Sequence, residues 1–219
     1  MKYRMSENNL FQEIQEDLDR QKMEALWRSY GPLVLMVAIV IILGTAATTA
    51  WRSWDAKREQ QATGDLIKIN DITGDQVKQI EALQDFAQKN HTDTQASFAL
   101  IHAGALEARA GDITKAVAIY DGVANDSKAD AAFRQLADLY AVEVQLDTGN
   151  AAALEKRLQP LLAENAPWRF SAMEYDGYLA LRTGDKAKAK QIFTELSQNA
   201  SVPQSLGSRA AVMLRYVND

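Results

Sequence analysis

Gly104 to Tyr120 reads GALEARAGDITKAVAIY, and the Ala110-Gly111-Asp112 step inside it decides how most of the chain folds. Glycine ends a helix because it takes the left-handed conformation without a Cβ penalty. The aspartate after it caps the next helix by accepting a free backbone N–H. The triplet therefore predicts a tight turn between two antiparallel helices. It recurs as Thr73-Gly74-Asp75, Thr148-Gly149-Asn150 and Thr183-Gly184-Asp185, with glycine spacings of 37, 38 and 35 residues. Such a period marks an internal repeat. Four turns imply four helix pairs, with helices expected near 52–72, 75–90, 95–109, 112–124, 129–147, 150–164, 168–182 and 185–199. A last helix from Pro203 to about Val217 is expected to cover the open end of the stack, as solenoid termini require.

Upstream of the repeats, Leu33 to Ala50 reads LVLMVAIVIILGTAATTA and holds no charge. As a helix, Gly31 to Ala50 would be about 30 Å long, the thickness of a bilayer's hydrocarbon core. Trp27 and Tyr30 before it, and Trp51 and Trp54 after it, suit the two headgroup levels. Arg28 and Arg52 bracket the run, and Gly31-Pro32 suits a helix start. A buried core helix rarely lacks polar atoms for five turns. A cleaved signal peptide is the stronger competitor, because small residues from Thr45 to Ala50 follow the apolar run. The 32-residue arm before it carries six acidic side chains, unlike a short basic leader. An uncleaved transmembrane helix over 31–51 is therefore expected, after an amphipathic arm over 1–30 and before a helical repeat domain over 52–219. Basic residues near the two ends are balanced, so charge does not orient the span.

Composition narrows the chemistry. The 219 residues include no cysteine, which excludes disulfides, thiolate metal sites and thiol catalysis. Four prolines and eleven glycines in a chain rich in Ala, Leu, Gln, Glu and Lys fit an all-α fold. The net charge of −5 and the lack of a basic stripe argue against a nucleic-acid partner. The two histidines, His91 and His102, have no metal-ligand spacing, and no phosphate-binding glycine loop is present. No catalytic, cofactor-binding or metal residue is expected, nor a small-molecule substrate. The chain reads as a non-enzyme, with an enzyme surviving only if scattered residues converge on a pocket.

At this point the chain resembles the tetratricopeptide repeat (TPR) proteins. Around Gly111 the resemblance rests on Gly104, Ala116 and Tyr120, and around Gly184 on Gly177, Ala189 and Phe193. In the TPR motif the small residues let two helices approach and the aromatic fills the groove beside them. The pair around Gly149 places Val142, Leu154 and Leu158 there and is degenerate; a helical bundle without true repeats is the alternative. The resemblance implies an α-solenoid whose first helices line a groove for a peptide or a partner helix. It puts Phe98, Ile101, Arg109, Leu139, Glu143, Glu174, Tyr178 and Arg182 toward that groove. For Phe98, Ile101 and Leu139 the competing reading is inter-repeat core.

The order of arm, span, Trp51-Arg52-Ser53-Trp54 exit and TPR-like domain resembles a more specific family, the ancillary subunit of the bacterial Sec translocon. That resemblance implies an inner-membrane protein with a cytoplasmic N-terminus and a periplasmic domain. Its implied partners are translocon subunits, periplasmic chaperones and the lipid bilayer. A membrane-tethered TPR adaptor in cell-envelope assembly or cell division is the alternative.

Overall fold

The computed structural model describes residues 4–90 and 94–218. Within the first helix it describes side chains at residues 23, 28–30, 33, 36 and from 39 onward. The described residues fold as helices joined by turns. They are α1 (Arg4–Asn70), α2 (Gln76–Lys89), α3 (Thr94–Arg109), α4 (Ile113–Ala124), α5 (Ala131–Glu143), α6 (Ala151–Leu158), α7 (Arg169–Arg182), α8 (Lys186–Gln198) and α9 (Gln204–Asn218). A short 3-10 turn, Gln159–Leu162, follows α6. Packing divides the chain into two units, one ending at Arg58 and one beginning at Glu59.

The first unit is helical throughout its described length. The start expected at Gly31-Pro32 is not there, and the helix runs through both residues. Pro32 removes one N–H from the ladder without breaking the run. Leu33, Met36, Ile39, Val40, Ile41, Ile42 and Leu43 are between 55 and 64% exposed. The hydroxyls beyond them turn inward: Thr45 Oγ1 donates to the Ile41 carbonyl at 2.8 Å, Thr49 Oγ1 to Thr45 at 2.7 Å, and Ser53 Oγ to Ala50 at 2.9 Å. Trp51 and Trp54 are exposed with ring centroids 6.0 Å apart, and the Arg58 guanidinium lies 5.5 Å from the Trp54 ring centre. The expected transmembrane helix is not seen as such: among the described residues no helix is long and apolar enough to cross a membrane. The expected span includes side chains at 31–32, 34–35 and 37–38 that lie outside the described ones. The apolar pattern of the arm, Leu10, Phe11, Ile14 and Leu18, lies outside them too.

In the second unit all four predicted caps form. Asp75, Asp112, Asn150 and Asp185 accept the backbone N–H of Lys78, Lys115, Ala153 and Lys188 at 3.1, 3.0, 3.0 and 2.9 Å. Gly74, Gly111 and Gly184 have φ of 83°, 86° and 84°, the left-handed turn that the triplets called for. At Gly111 the wrap is complete, with Asp112 N–H donating back to Glu107 and Gly111 N–H to Ala108, both at 3.0 Å.

The third triplet departs from the expectation. Gly149 is not left-handed, because α5 ends at Glu143 and the chain turns through 144–148 before reaching it. A Cβ there would sit 2.9 Å from the Gln145 carbonyl oxygen, so crowding rather than φ favours glycine at this site. The next helix also stops short of 164, at Leu158. Pro160 has no N–H to continue the ladder, and the chain tightens into the 3-10 turn.

The core is a series of clusters handed from pair to pair. Ala62 and Leu66 near the end of α1 pack with Leu83, Phe86, Ala99 and Ala103 of α2 and α3. Ala116 and Tyr120 of α4 pack with Ala137 and Ala141 of α5. Leu154 and Leu158 of α6 pack with Ala172 and Leu179 of α7. Phe193 and Leu196 of α8 pack with Leu206, Ala210 and Val217 of α9, which covers the end of the array as expected. Tyr120 and Phe193 are 2% and 0% exposed, and each ring presses on a bare glycine. A Cβ on Gly104 would lie 2.6 Å from Tyr120 Cε1, and one on Gly177 would lie 2.7 Å from Phe193 Cζ.

The same substitution should therefore act with opposite sign at different helical glycines. Gly104→Ala and Gly177→Ala should each lower stability by about 1–3 kcal/mol through overpacking. Gly122→Ala, on an exposed face of α4 with nothing within 4 Å of the new methyl, should raise it by about 0.5–1 kcal/mol. Urea unfolding of the three variants reads the difference, and three equal shifts would contradict the ring-on-glycine packing.

Candidate partner-binding face

The first helices of the pairs, α3, α5 and α7, carry the residues expected to meet a partner, and packing sorts them. Ile101 is buried against Ala116 and Tyr120, and Leu139 is buried against Val142, Leu154 and Leu158. Both belong to the inter-helix core. Phe98 is 48% exposed, with its ring centre 6.4 Å from that of His102. Together with Leu66, Ile67, Thr94, Gln95 and Phe133 it lines an apolar groove of about 370 Å³. Partial burial, then the Arg109 charge, holds the His102 pKa below its ordinary value. Arg109 itself is exposed beside Ile72, Gln76 and Gln79.

Arg182 is committed to the backbone. Its guanidinium donates to the Leu146 carbonyl, and to the Gly149 carbonyl at 2.8 Å. These carbonyls belong to the irregular turn that replaces the end of α5, so Arg182 supplies donors that a continued helix would have supplied. Arg157 plays a related part, donating to Asp121 of α4 and to Asp138 of α5, the latter at 2.7 Å. Lys188 joins Glu155 at 2.6 Å and Asp176 at 2.9 Å, tying α8 to α6 and α7.

Glu174 is 3% exposed and fully engaged. It accepts the Tyr178 hydroxyl at 3.1 Å and a two-pronged contact from Arg209 of α9, Nε at 2.8 Å and Nη2 at 2.6 Å. The hydrogen bonds to Glu174 hold the Arg209 guanidinium pKa above its ordinary value. The Tyr178 ring in turn rests 5.5 Å from the Phe193 ring, over the core.

Glu143 is placed differently. It ends α5 and is exposed, and among the described residues no lysine or arginine pairs with it. Three tyrosines stand around its charge. Tyr120 and Tyr140 have ring centres 5.8 Å apart, and Tyr175 of α7 packs on the cluster holding Leu139 and Val142. Burial first, and the Glu143 carboxylate second, raise the hydroxyl pKa of all three, that of Tyr120 to about 12.

Of the residues expected at the membrane interface, Tyr30, Trp51 and Trp54 are exposed, and Trp27 lies outside the described side chains. Among the described residues no group of three or more His, Cys, Asp or Glu is placed to hold a metal ion. The family model described as tetratricopeptide repeat-like domain matches residues 24–214. The chain belongs to the tetratricopeptide repeat-like domain family. No curated protein and no solved structure matches it. Domains of this family mediate binding of protein partners, which suggests an adaptor of protein–protein interactions.

Several of the TPR-like array's polar ties were missed in the sequence although a signal was there. Arg209 stands 35 residues after Glu174, the same interval as Gly149 to Gly184. Lysine recurs three residues after three of the capping aspartates, as Lys78, Lys115 and Lys188. The first two pair with their own cap at 2.8 and 2.9 Å. Arg182→Ala should destabilise the protein by about 1.5–3 kcal/mol, the range for hydrogen bonds to a charged group. Arg109→Ala should change stability by less than about 0.5 kcal/mol, as expected for an exposed side chain away from such ties. Chemical denaturation checks both, and equal effects would remove the bracing role of Arg182.

Proposed function

We propose that the protein is a non-enzymatic, membrane-anchored scaffold at the bacterial inner membrane. It works as an accessory of the Sec translocon, with its N-terminus cytoplasmic and the region from about residue 52 onward periplasmic. In this reading the repeat domain engages periplasmic chaperones and passes emerging chains toward them. The observation that carries the anchor is the row of exposed apolar side chains at Leu33, Met36 and Ile39 to Leu43, beside a repeat family that binds proteins. The family match starts at residue 24, ahead of that row, so the row lies inside the matched region. The inward-turned hydroxyls of Thr45, Thr49 and Ser53 support the same reading, because such groups need no water when a helix lies in lipid. The exposed Trp51 and Trp54 suit the lipid–water interface just beyond. The translocon and the chaperones rest on the resemblance in chain order alone.

The anchor predicts that intact protein stays with membranes through an alkaline carbonate wash, and release into the supernatant would overturn it. Ile39→Arg should weaken insertion, at a cost of about 2.5–3.5 kcal/mol for Arg at a helix centre. A reporter active only outside the cytoplasm, fused after Asp219, should be active. For the partner, full-length protein in mild detergent should copurify with the translocon channel, and photocrosslinkers at Trp51 and Trp54 should trap a channel subunit. Absence of channel crosslinks would exclude the translocon and favour an envelope-assembly or division adaptor.

A further inference from the structure

The two glutamates of α5 and α7 show one completed arrangement and one that is open. At the completed one, Glu174 accepts a tyrosine hydroxyl from Tyr178, and Arg209 closes the remaining side with two parallel hydrogen bonds. Planar guanidinium against carboxylate is the strongest geometry available for such a pair, because both oxygens are used at once. At the open one, Glu143 follows Tyr140 by one turn of α5, Tyr175 of α7 packs on the adjacent Leu139 and Val142, and among the described residues no lysine or arginine pairs with the carboxylate. Tyr175 directly follows Glu174 in α7, so the two arrangements lie side by side.

We propose that Glu143, Tyr140 and Tyr175 form a recognition site for an arginine side chain of a protein partner. The reading rests on the chain being a protein-binding scaffold and names what that scaffold takes at this point. Three features favour arginine. The carboxylate is exposed and lacks a partner cation, so its charge is available to an incoming group. Tyr140 and Tyr175 are only half-buried, and an open part of a tyrosine ring can receive a guanidinium while the guanidinium edge meets the carboxylate. The neighbouring Glu174 shows which side chain this fold itself uses to complete a tyrosine–carboxylate pair. The surrounding chain is acidic overall, at a net −5, which steers a basic segment toward the surface.

The test uses full-length protein in detergent and fluorescein-labelled nonapeptide pools. Eight positions are mixed from Gly, Ala, Ser, Leu and Tyr, and the central residue is Arg, Lys or citrulline. Polarisation titrations should show the arginine pool binding about tenfold tighter than the citrulline pool, the scale set by a charge-assisted hydrogen-bond pair. Glu143→Gln should abolish that preference, and Tyr175→Phe should reduce it. Glu164→Gln, an equal charge change at an exposed loop position, should leave it intact. Far-UV circular dichroism establishes that each variant is folded. Equal binding of the arginine and citrulline pools, or a preference that survives Glu143→Gln, overturns the site. Equal binding of the arginine and lysine pools overturns the choice of a guanidinium. Failure of every pool to bind also overturns the site, while copurification by the same full-length protein separately decides whether it is a scaffold.

Discussion

An aromatic ring lying on a bare glycine is the contact on which the array depends. A helix pair can close only as far as its facing side chains allow, and glycine removes the last obstacle to close approach. Tyr120 then fills the space over Gly104, and Phe193 fills the space over Gly177. Each ring also supports what lies above it. Tyr140 stands beside Tyr120 with Glu143 one turn further on, and Tyr178 rests on Phe193 with Glu174 bonded to its hydroxyl. The proposed binding face is therefore the outer layer of the same contact that sets the core. A change at Gly104 or Gly177 would be felt on that face without touching it.

The pair between these two lacks the glycine and the ring, and it is held by other means. Val142, Leu154 and Leu158 pack tightly, but α6 is only eight residues long and the turn before it is irregular. Polar side chains take up what the shortened helices leave open. Arg157 spans α4, α5 and α6, Arg182 closes the carbonyls of the turn, and the Trp168 indole N–H donates to the Ala132 carbonyl at 2.8 Å. Such ties are directional, so they specify how neighbouring pairs register as well as adding stability. A repeat can drift from its apolar pattern when the loss is covered by groups from the pairs on either side.

How much of this was legible in the sequence follows from the range of each interaction. Glycine turns and their caps act within a few residues, so the triplets foretold all four caps, and three of their four glycines take the left-handed form expected. The Gly104–Tyr120 and Gly177–Phe193 contacts span one turn of the repeat, and the resemblance to the TPR motif pointed to them. Pro160 was a visible stop for α6, yet the repeat period argued for a longer helix and local backbone chemistry won. Glu174 and Arg182 were expected to face a partner, and both instead serve the fold through atoms on other elements: Arg209 in α9 and the carbonyls of 146 and 149. A helical period says which face a residue occupies. It does not say whether a residue 35 positions away will reach back to it.

That difference also bears on how strongly such a surface can bind. Four cations of the array are used internally: Arg157, Arg182, Lys188 and Arg209 all hold other elements in place. They are withdrawn from a partner, and the Glu143 site offers one carboxylate among rings. One exposed carboxylate contributes little affinity by itself, because water and salt screen it until a ligand covers it. A protein that binds through so few groups gains from a fixed position near its partners, since proximity raises effective concentration without new contacts. The exposed apolar row of α1 would supply that position if it lies in a bilayer. Recognition by the repeats and the proposed anchor would then be two parts of one arrangement, with selectivity in the first and occupancy in the second.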